Sequence, residues 1–139
     1  MRMKQVLLLT LGCLLLWTTA AVALDHRESS HGVGKKGEIT LTEPTKVGDR
    51  VLQPDTYVVQ HRLLGGEHFL RFVELKKAQH WSKEWNVIYT EPDPDAEVKC
   101  RVEPSASPIT ETKVYMVRQN GLDRITKITI KGEDVVHIF

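Results

Sequence analysis

Short stretches of alternating apolar and polar residues, each ended by glycine, proline or aspartate, fill the chain from about residue 38 onward. An alternation with a period of two is typical of β-strands, because successive side chains point to opposite faces of a sheet. The pattern predicts nine short strands, over residues 38–42, 46–52, 56–64, 67–75, 85–89, 97–103, 113–118, 124–131 and 134–139. Many short strands with tight connections indicate an all-β fold, a single small antiparallel sandwich or barrel.

Two glycine-containing pairs, Gly65-Gly66 and Asn120-Gly121, predict β-hairpins, because both central residues of each pair tolerate a positive φ. A two-residue turn at Gly65-Gly66 would pair Leu64 with Glu67 across the hairpin. A three-residue loop would instead shift the register by one residue and exchange the two faces of one strand. A weak helical pattern covers residues 76–84, which otherwise form an irregular excursion.

The first residues differ in composition from the rest of the chain. Arg2 and Lys4 precede an apolar run over residues 6–17, and a small-residue stretch ends at Ala21-Val22-Ala23. This order of features predicts a cleavable signal peptide over residues 1–23. The alternative is a membrane anchor, but the run is shorter than the roughly 20 residues that cross a bilayer. We therefore expect a periplasmic or secreted protein with no membrane span after cleavage.

Cleavage after Ala23 would leave 116 of the 139 residues, near the usual size of one domain. Residues 24–37 are polar and contain glycine, which predicts a flexible leader before a β-domain over residues 38–139. Without Arg2 and Lys4, 17 basic residues face 18 acidic ones. This balance gives no electrostatic case for a nucleic-acid partner or an anionic membrane surface.

One segment near the start of the β-domain resembles a known group of proteins. Val47-Gly48-Asp49, followed by Leu52-Gln53-Pro54-Asp55-Thr56-Tyr57, resembles the "VG … LxPGTY" opening of uncharacterised short secreted β-rich proteins of acidobacterial type. Asp55 stands where that phrase has glycine, which leaves the turn type open. The resemblance covers about the first half of the domain. It implies a β fold and an exported location, but no activity.

Motifs of common catalytic sites are absent from the sequence. It contains no glycine-rich phosphate loop, no H-E-x-x-H and no G-x-S-x-G. Cys13 lies in the predicted signal peptide, so Cys100 would be the single cysteine of the mature chain. An unpaired cysteine in an exported protein is a buried inert thiol, an intermolecular bridge, a reactive thiol or a metal ligand.

Histidines and this cysteine provide the candidate chemistry. Under the two-residue turn, His61 and His68 share an otherwise apolar face of the hairpin and lie diagonal to one another. Cys100 lies on the apolar face of residues 97–103, so the three side chains would converge if that strand is adjacent. Two imidazoles and a thiolate suit copper or zinc. The alternative is two hydrogen-bonded histidines beside a buried thiol. His137, expected opposite Ile128, is either a fourth member or simply a histidine near the chain end.

Two further features involve histidine. A mature chain beginning Leu24-Asp25-His26 could bind Cu(II) or Ni(II) through the terminal amine, two backbone amides and the imidazole of His26. An exposed aromatic loop that binds a ligand is suggested by the sequence around His80, Trp81 and Trp85. Their alternative role is to cap one end of the core.

Three classes of function follow from the sequence. The first, which we favour, is an exported non-enzymatic β-domain that binds a transition metal or a small ligand. The second is a structural or protein-interaction module of the cell envelope. The third is an enzyme without a recognisable motif. Convergence of His61, His68 and Cys100 in the folded chain would favour the first class.

Overall fold

A computed structural model describes residues 32–83 and 94–139 and confirms the all-β class. The described residues form nine strands and one helix. Their bounds are β1 Lys36–Leu41, β2 Thr45–Val47, β3 Arg50–Leu52, β4 Asp55–Leu64, β5 Glu67–Glu74, α1 Leu75–Lys83, β6 Ala96–Pro104, β7 Lys113–Gln119, β8 Leu122–Thr129 and β9 Val135–Ile138.

The nine described strands form one sheet whose ends do not pair. Its order is β1-β4-β5-β6-β9-β8-β2-β3, and β7 pairs with β8 outside this path. All pairs are antiparallel except β2 with β8, which is parallel. The N-terminal half of β6 pairs with β5 and its C-terminal half with β9, so β6 connects the two parts of the sheet.

The hairpin of β4 and β5 has the predicted two-residue turn. Gly65 and Gly66 have φ angles of 59° and 79°, which a residue with a Cβ rarely adopts. Leu64 therefore pairs with Glu67, and His61 lies opposite Leu70. This register places both histidines of the hairpin on the face that we predicted.

The strand predicted over residues 46–52 is wrong as a single element. Val47 pairs with Arg50, so β2 and β3 form a hairpin with Gly48 and Asp49 at its turn. Gly48 has a φ of 57°, and a Cβ there would lie 2.6 Å from Val98 Cγ1. A glycine at this position thus permits both the turn and the close approach to β6.

The weak helical pattern corresponds to α1, which begins at Leu75 and ends at Lys83. No helix in residues 32–83 and 94–139 is long and apolar enough to cross a membrane. The strand predicted over residues 85–89 lies outside the described residues. The same is true of the side chains of His80, Trp81 and Trp85.

The core lies on one face of the sheet and surrounds two histidines. Its buried apolar residues include Tyr57, Val59, Leu70, Phe72, Ile125, Ile128 and Ile130. Burying one such side chain stabilises the fold by about 1.5–3 kcal/mol. His61 on β4 and His137 on β9 are as buried as these residues, each with 0% exposure.

These two histidines also reveal how strongly the sheet is curved. In a flat sheet, β4 and β9 would be roughly 14 Å apart, because β5 and β6 lie between them at about 4.8 Å per strand. The ring centroids of His61 and His137 are only 4.4 Å apart. The sheet therefore coils so that β4 and β9 face one another across its concave side.

Candidate functional site: a buried histidine–glutamate–cysteine cluster

Five side chains form a continuous series of polar contacts inside the domain, and we call them the His–Glu–Cys cluster: His68, His61, Glu133, His137 and Cys100. His68 Nδ1 lies 2.7 Å from His61 Nε2, and His61 Nδ1 lies 2.9 Å from Glu133 Oε1. Glu133 Oε2 lies 2.5 Å from His137 Nε2, and His137 Nδ1 lies 3.5 Å from Cys100 Sγ. The cluster thus links four strands and one turn of the fold.

The strand register brings the two ends of the cluster together. His68 on β5 is the direct cross-strand partner of Cys100 on β6. His137 on β9 lies opposite Val102, two residues beyond Cys100 on the same face of β6. The convergence of the three side chains assumed that residues 97–103 lie beside the hairpin, and β6 does pair with β5. The predicted pairing of His137 with Ile128 is confirmed.

Glu133 enters the cluster from the turn between β8 and β9. Gly132 there has a φ of 86°, and the Glu133 amide donates a 3.1 Å hydrogen bond to the Ile130 carbonyl. The tight turn folds the Glu133 side chain back toward β9, where it meets His137 four residues later. Both side chains of this pair have 0% exposure.

A turn at residues 32–35 covers the cluster. The Gly34 amide donates to the His61 carbonyl at 2.7 Å, and the His61 amide donates to the Lys35 carbonyl at 3.1 Å. β1 begins directly afterwards, at Lys36. Residues 32–37, which we expected at the end of a flexible leader, therefore form a turn and the first residues of a strand.

We expect Gly32→Ala to destabilise the fold more than Gly34→Ala. Both glycines have positive φ angles, 72° and 88°, which cost an alanine roughly 1–2 kcal/mol. A Cβ on Gly32 would also lie 2.9 Å from Glu133 Cγ, whereas one on Gly34 would meet no atom within 4 Å. Urea unfolding of the two variants measures the difference. Equal losses of stability in the two variants would show that a Cβ at position 32 does not clash with Glu133.

One arrangement of protons satisfies all four contacts with neutral imidazoles. An ionised Glu133 carboxylate only accepts, so His61 Nδ1–H and His137 Nε2–H donate to it. The second nitrogen of each ring then accepts, from His68 Nδ1–H and from the Cys100 thiol. This arrangement leaves one negative charge, on Glu133, inside the domain.

Electrostatics favour the ionised form of Glu133. Burial is the largest influence and raises the pKa of this carboxyl, but the hydrogen bonds and charges of His137 and His61 together outweigh it, so the pKa is lowered. Because its folded pKa is depressed, Glu133 stabilises the fold above the ordinary glutamate range, and this stabilisation is lost as the pH falls through the folded pKa. The salt-bridge partners of Glu133 in the described part of the chain are the two histidines.

Cys100 is buried beside an open cleft. Cys100 and His68 line this cleft together with Val102, Ile138 and Phe139, and Lys99 and Arg101 also border it. Burial, followed by the charge of Glu133, raises the pKa of Cys100 to about 12. The thiol therefore keeps its proton at neutral pH. A nucleophile, a base and an orienting acid could be assigned in the order Cys100, His137 and Glu133. The raised pKa of Cys100, however, keeps this thiol protonated, whereas a nucleophile must be a thiolate.

The native Cys100 thiol is expected to react with a thiol reagent about 1,000-fold more slowly at pH 8 than in denatured protein. A rise in its pKa from 9.0 to about 12 lowers the thiolate fraction by about that factor. Ellman's reagent measures the rate in a Cys13→Ser background, which leaves Cys100 as the one cysteine. Because the folded pKa of Cys100 is raised, the protonated thiol stabilises the fold at every pH below its unfolded pKa. This stabilisation is lost as the pH rises through the folded pKa of about 12. Equal rates in the native and denatured protein would contradict this assignment.

The cluster offers two arrangements for a metal ion. In the first, His61, Glu133 and His137 bind it directly, since one atom of each lies within 4.8 Å of the others. Two ligands of a tetrahedral ion with bonds of 2.0–2.1 Å lie roughly 3.3 Å apart. The 2.9 Å and 2.5 Å contacts to Glu133 are shorter and suit shared protons. In the second arrangement, Glu133 only orients the two imidazoles, whose other nitrogens point to His68 and Cys100.

Of the predicted central site, the structure places His61 and His68 in contact and makes Cys100 the cross-strand neighbour of His68, while the Cys100 thiol contacts His137. The group whose ligand atoms all lie within 4.8 Å of one another is instead His61, Glu133 and His137. Sequence reasoning missed Glu133, which it placed in a turn. The one signal for it is the spacing of four residues to His137, but along an extended strand that spacing would separate the two side chains. His26, predicted to bind copper or nickel at the mature N-terminus, lies outside the described residues.

Comparisons with protein-family models, with curated proteins and with solved structures found no match to this chain. Its function is therefore argued from the geometry of the His–Glu–Cys cluster.

Proposed function

We propose that this protein is an exported, non-enzymatic domain that binds one transition-metal ion, copper or zinc, in the His–Glu–Cys cluster. The donors are His61 Nε2, His68 Nδ1, His137 Nδ1 and Cys100 Sγ. Glu133 orients the rings of His61 and His137 by accepting a hydrogen bond from the nitrogen of each ring that does not bind the ion. The observation that supports this proposal is the Glu133 carboxylate, which holds one nitrogen of each buried imidazole and directs the other toward a second donor.

Glu133 has the role that carboxylates commonly have in metal sites. A metal-binding histidine usually donates its other ring N–H to a carboxylate or carbonyl, which fixes the tautomer and the ring orientation. Here the single carboxylate of Glu133 accepts a hydrogen bond from His61 on β4 and another from His137 on β9, the two strands that face one another across the concave side of the sheet. The orientation of both rings is consequently fixed before any ion arrives.

The charge of the cluster favours a divalent cation. With neutral imidazoles and no ion bound, the buried carboxylate is compensated by hydrogen bonds alone, and its negative charge is costly in a low-dielectric interior. A divalent ion that displaces the Cys100 proton adds two positive charges and creates one thiolate. The buried group then has no net charge. Binding should release this proton and strengthen as the pH rises.

One contact distance suits a shared ion, but the four donors must move closer together to bind it, because the side chains whose ligand atoms already lie within 4.8 Å of one another in the described residues are His61, Glu133 and His137. A sulfur and a nitrogen bound to one tetrahedral ion, at about 2.3 Å and 2.0–2.1 Å, lie roughly 3.5 Å apart. The Cys100 Sγ to His137 Nδ1 distance is 3.5 Å. The 2.7 Å between His61 and His68 is shorter and must increase by about half an ångström for both to bind. His68 is half-buried and lines the cleft.

Metal analysis of the protein, purified without an affinity tag, tests the proposal. We expect about one equivalent of copper or zinc, lost in a His61→Ala/His68→Ala variant. Glu67→Gln, an exposed substitution beside the cleft, is the matched control and should retain the metal. Metal retained by the double variant but lost on removal of residues 24–26 would place the ion at His26. No binding after addition of either metal would reject the proposal.

The second candidate function is a protein-interaction module. It is favoured by the exposure of Tyr115, Met116 and Val117, at 36%, 45% and 50%, on β7. In the described part of the chain, β7 pairs on one side only, with β8. A free strand edge can accept an extended segment of a partner protein. Binding of a partner that Met116→Lys abolishes without changing metal content would support this function.

A further inference from the structure

The outer face of the sheet, opposite the core, carries two rows of cross-strand neighbours. Lys46 on β2 lies between two buried residues and Arg124 on β8 precedes one, so both side chains point away from the core. The first row crosses β7, β8, β2 and β3 and consists of Val117, Arg124, Lys46 and Val51. The second row crosses β7, β8, β9 and β6 and consists of Tyr115, Lys127, Ile138 and Arg101.

Three cations lie side by side in the middle of this face, and we call Lys46, Arg124 and Lys127 the basic cluster. Lys46 and Arg124 are direct partners in the parallel pair of β2 and β8. Two like charges in this position repel one another and destabilise the sheet. In the part of the chain that the structure describes, none of the three cations forms an ion pair. The fold therefore contains a local positive charge that costs stability and that its own acids do not neutralise.

The first row ends in exposed apolar side chains on both sides of the cations. Val117 and Val51 are 50% and 49% exposed. Four neighbouring strands place these two valines roughly 14 Å apart, at about 4.8 Å per strand. Because the sheet coils around the core, its outer face is convex. A planar membrane surface would contact only part of such a row, whereas a flexible chain can follow its whole length.

We propose that this face binds an acidic segment of a partner protein, whose carboxylates contact the basic cluster and whose apolar side chains cover the two valines. Charge complementarity supports an acidic partner, and the aliphatic ends of the row suit protein side chains better than sugars. The Tyr115 ring already contacts the ammonium groups of Lys113 and Lys127, so it offers no free face on which a nucleic-acid base could stack. The inference goes beyond metal binding and concerns a surface other than the free edge of β7.

Fluorescence anisotropy with a labelled peptide, a run of glutamates between leucines, tests the proposal. Lys46→Glu should weaken binding of this peptide by about tenfold, because it reverses one charge of the basic cluster. The same substitution places an acid beside Arg124, so it should raise the urea midpoint of the free protein. Lys36→Glu makes the same charge change at an exposed position of β1 and is the matched control. It should leave both values nearly unchanged.

Further outcomes distinguish this face from other partners and surfaces. Met116→Lys lies on the other face of β7, opposite Ile125, and should not affect peptide binding. Loss of binding in Met116→Lys but not in Lys46→Glu would place the partner at the edge of β7 and overturn the inference. Binding of heparin or of phosphatidylglycerol vesicles in place of the peptide would overturn it too, as would a lower urea midpoint for Lys46→Glu. The metal content of Lys46→Glu should equal that of the unsubstituted protein, so failure of this inference leaves the proposed metal binding intact.

Discussion

Glu133→Ala is expected to lower the free energy of unfolding by about 2–6 kcal/mol, the cost of two buried N–H groups that lose their acceptor. The substitution leaves His61 Nδ1–H and His137 Nε2–H without an acceptor in the core, where each unsatisfied group costs about 1–3 kcal/mol. Urea unfolding of the metal-free protein measures the change. This is the largest stability effect that we expect from a single polar substitution in this fold.

Two variants show whether the loss is specific to the carboxylate. Glu133→Gln keeps one acceptor oxygen and nearly the same volume, so it should cost less than the alanine variant. Glu103→Ala removes an exposed carboxylate that pairs with Arg101 at 3.0 Å, and it should change the stability by less than about 0.5 kcal/mol. A loss from Glu133→Ala as small as that from Glu103→Ala would contradict the role of Glu133 in holding the cluster.

Cys100→Ser is expected to have the largest effect on metal binding, an increase in Kd of more than about 100-fold. Even partners outside the ligand sphere typically change metal affinity by about 10–100-fold, and the thiolate is itself a proposed ligand. Serine is nearly isosteric with cysteine, so the fold should be retained. Glu133→Gln, which disturbs only the orientation of the imidazoles, should weaken binding by no more than about 100-fold. Competition with a chromophoric chelator gives both values.

In the full-length chain, which retains residues 1–23, Cys13→Ser is the matched control for the thiol, since Cys13 and Cys100 are its two cysteines. It should leave the Kd unchanged. Equal effects of Cys13→Ser and Cys100→Ser would exclude a specific thiolate ligand. An unchanged Kd for Cys100→Ser together with complete loss of binding in Glu133→Gln would favour the alternative arrangement, in which His61, Glu133 and His137 bind the ion directly.

Local rules account for the part of the site that the sequence predicts. The Gly65-Gly66 turn determines the register of β4 and β5, and strand alternation then places His61 and His68 on the buried face. The same alternation orients Cys100 in β6. These inferences depend on residues close in sequence or on adjacent strands, where the period of two holds.

The remainder of the site depends on long-range geometry. His61 meets His137 only because the sheet coils, and no residue spacing specifies that curvature. Glu133 reaches both rings through the conformation of one turn. The split of residues 46–52 into β2 and β3 was missed for a related reason, because Gly48 continues an alternating pattern while its positive φ breaks the strand.

X-ray absorption spectroscopy of the protein loaded with one equivalent of zinc tests the metal centre most directly. We predict one sulfur ligand at about 2.3 Å and three nitrogen ligands at about 2.0–2.1 Å. Cys100→Ser should remove the sulfur shell and leave the nitrogen shell. A spectrum of the unsubstituted protein with only nitrogen and oxygen ligands would contradict a centre built from His61, His68, His137 and Cys100.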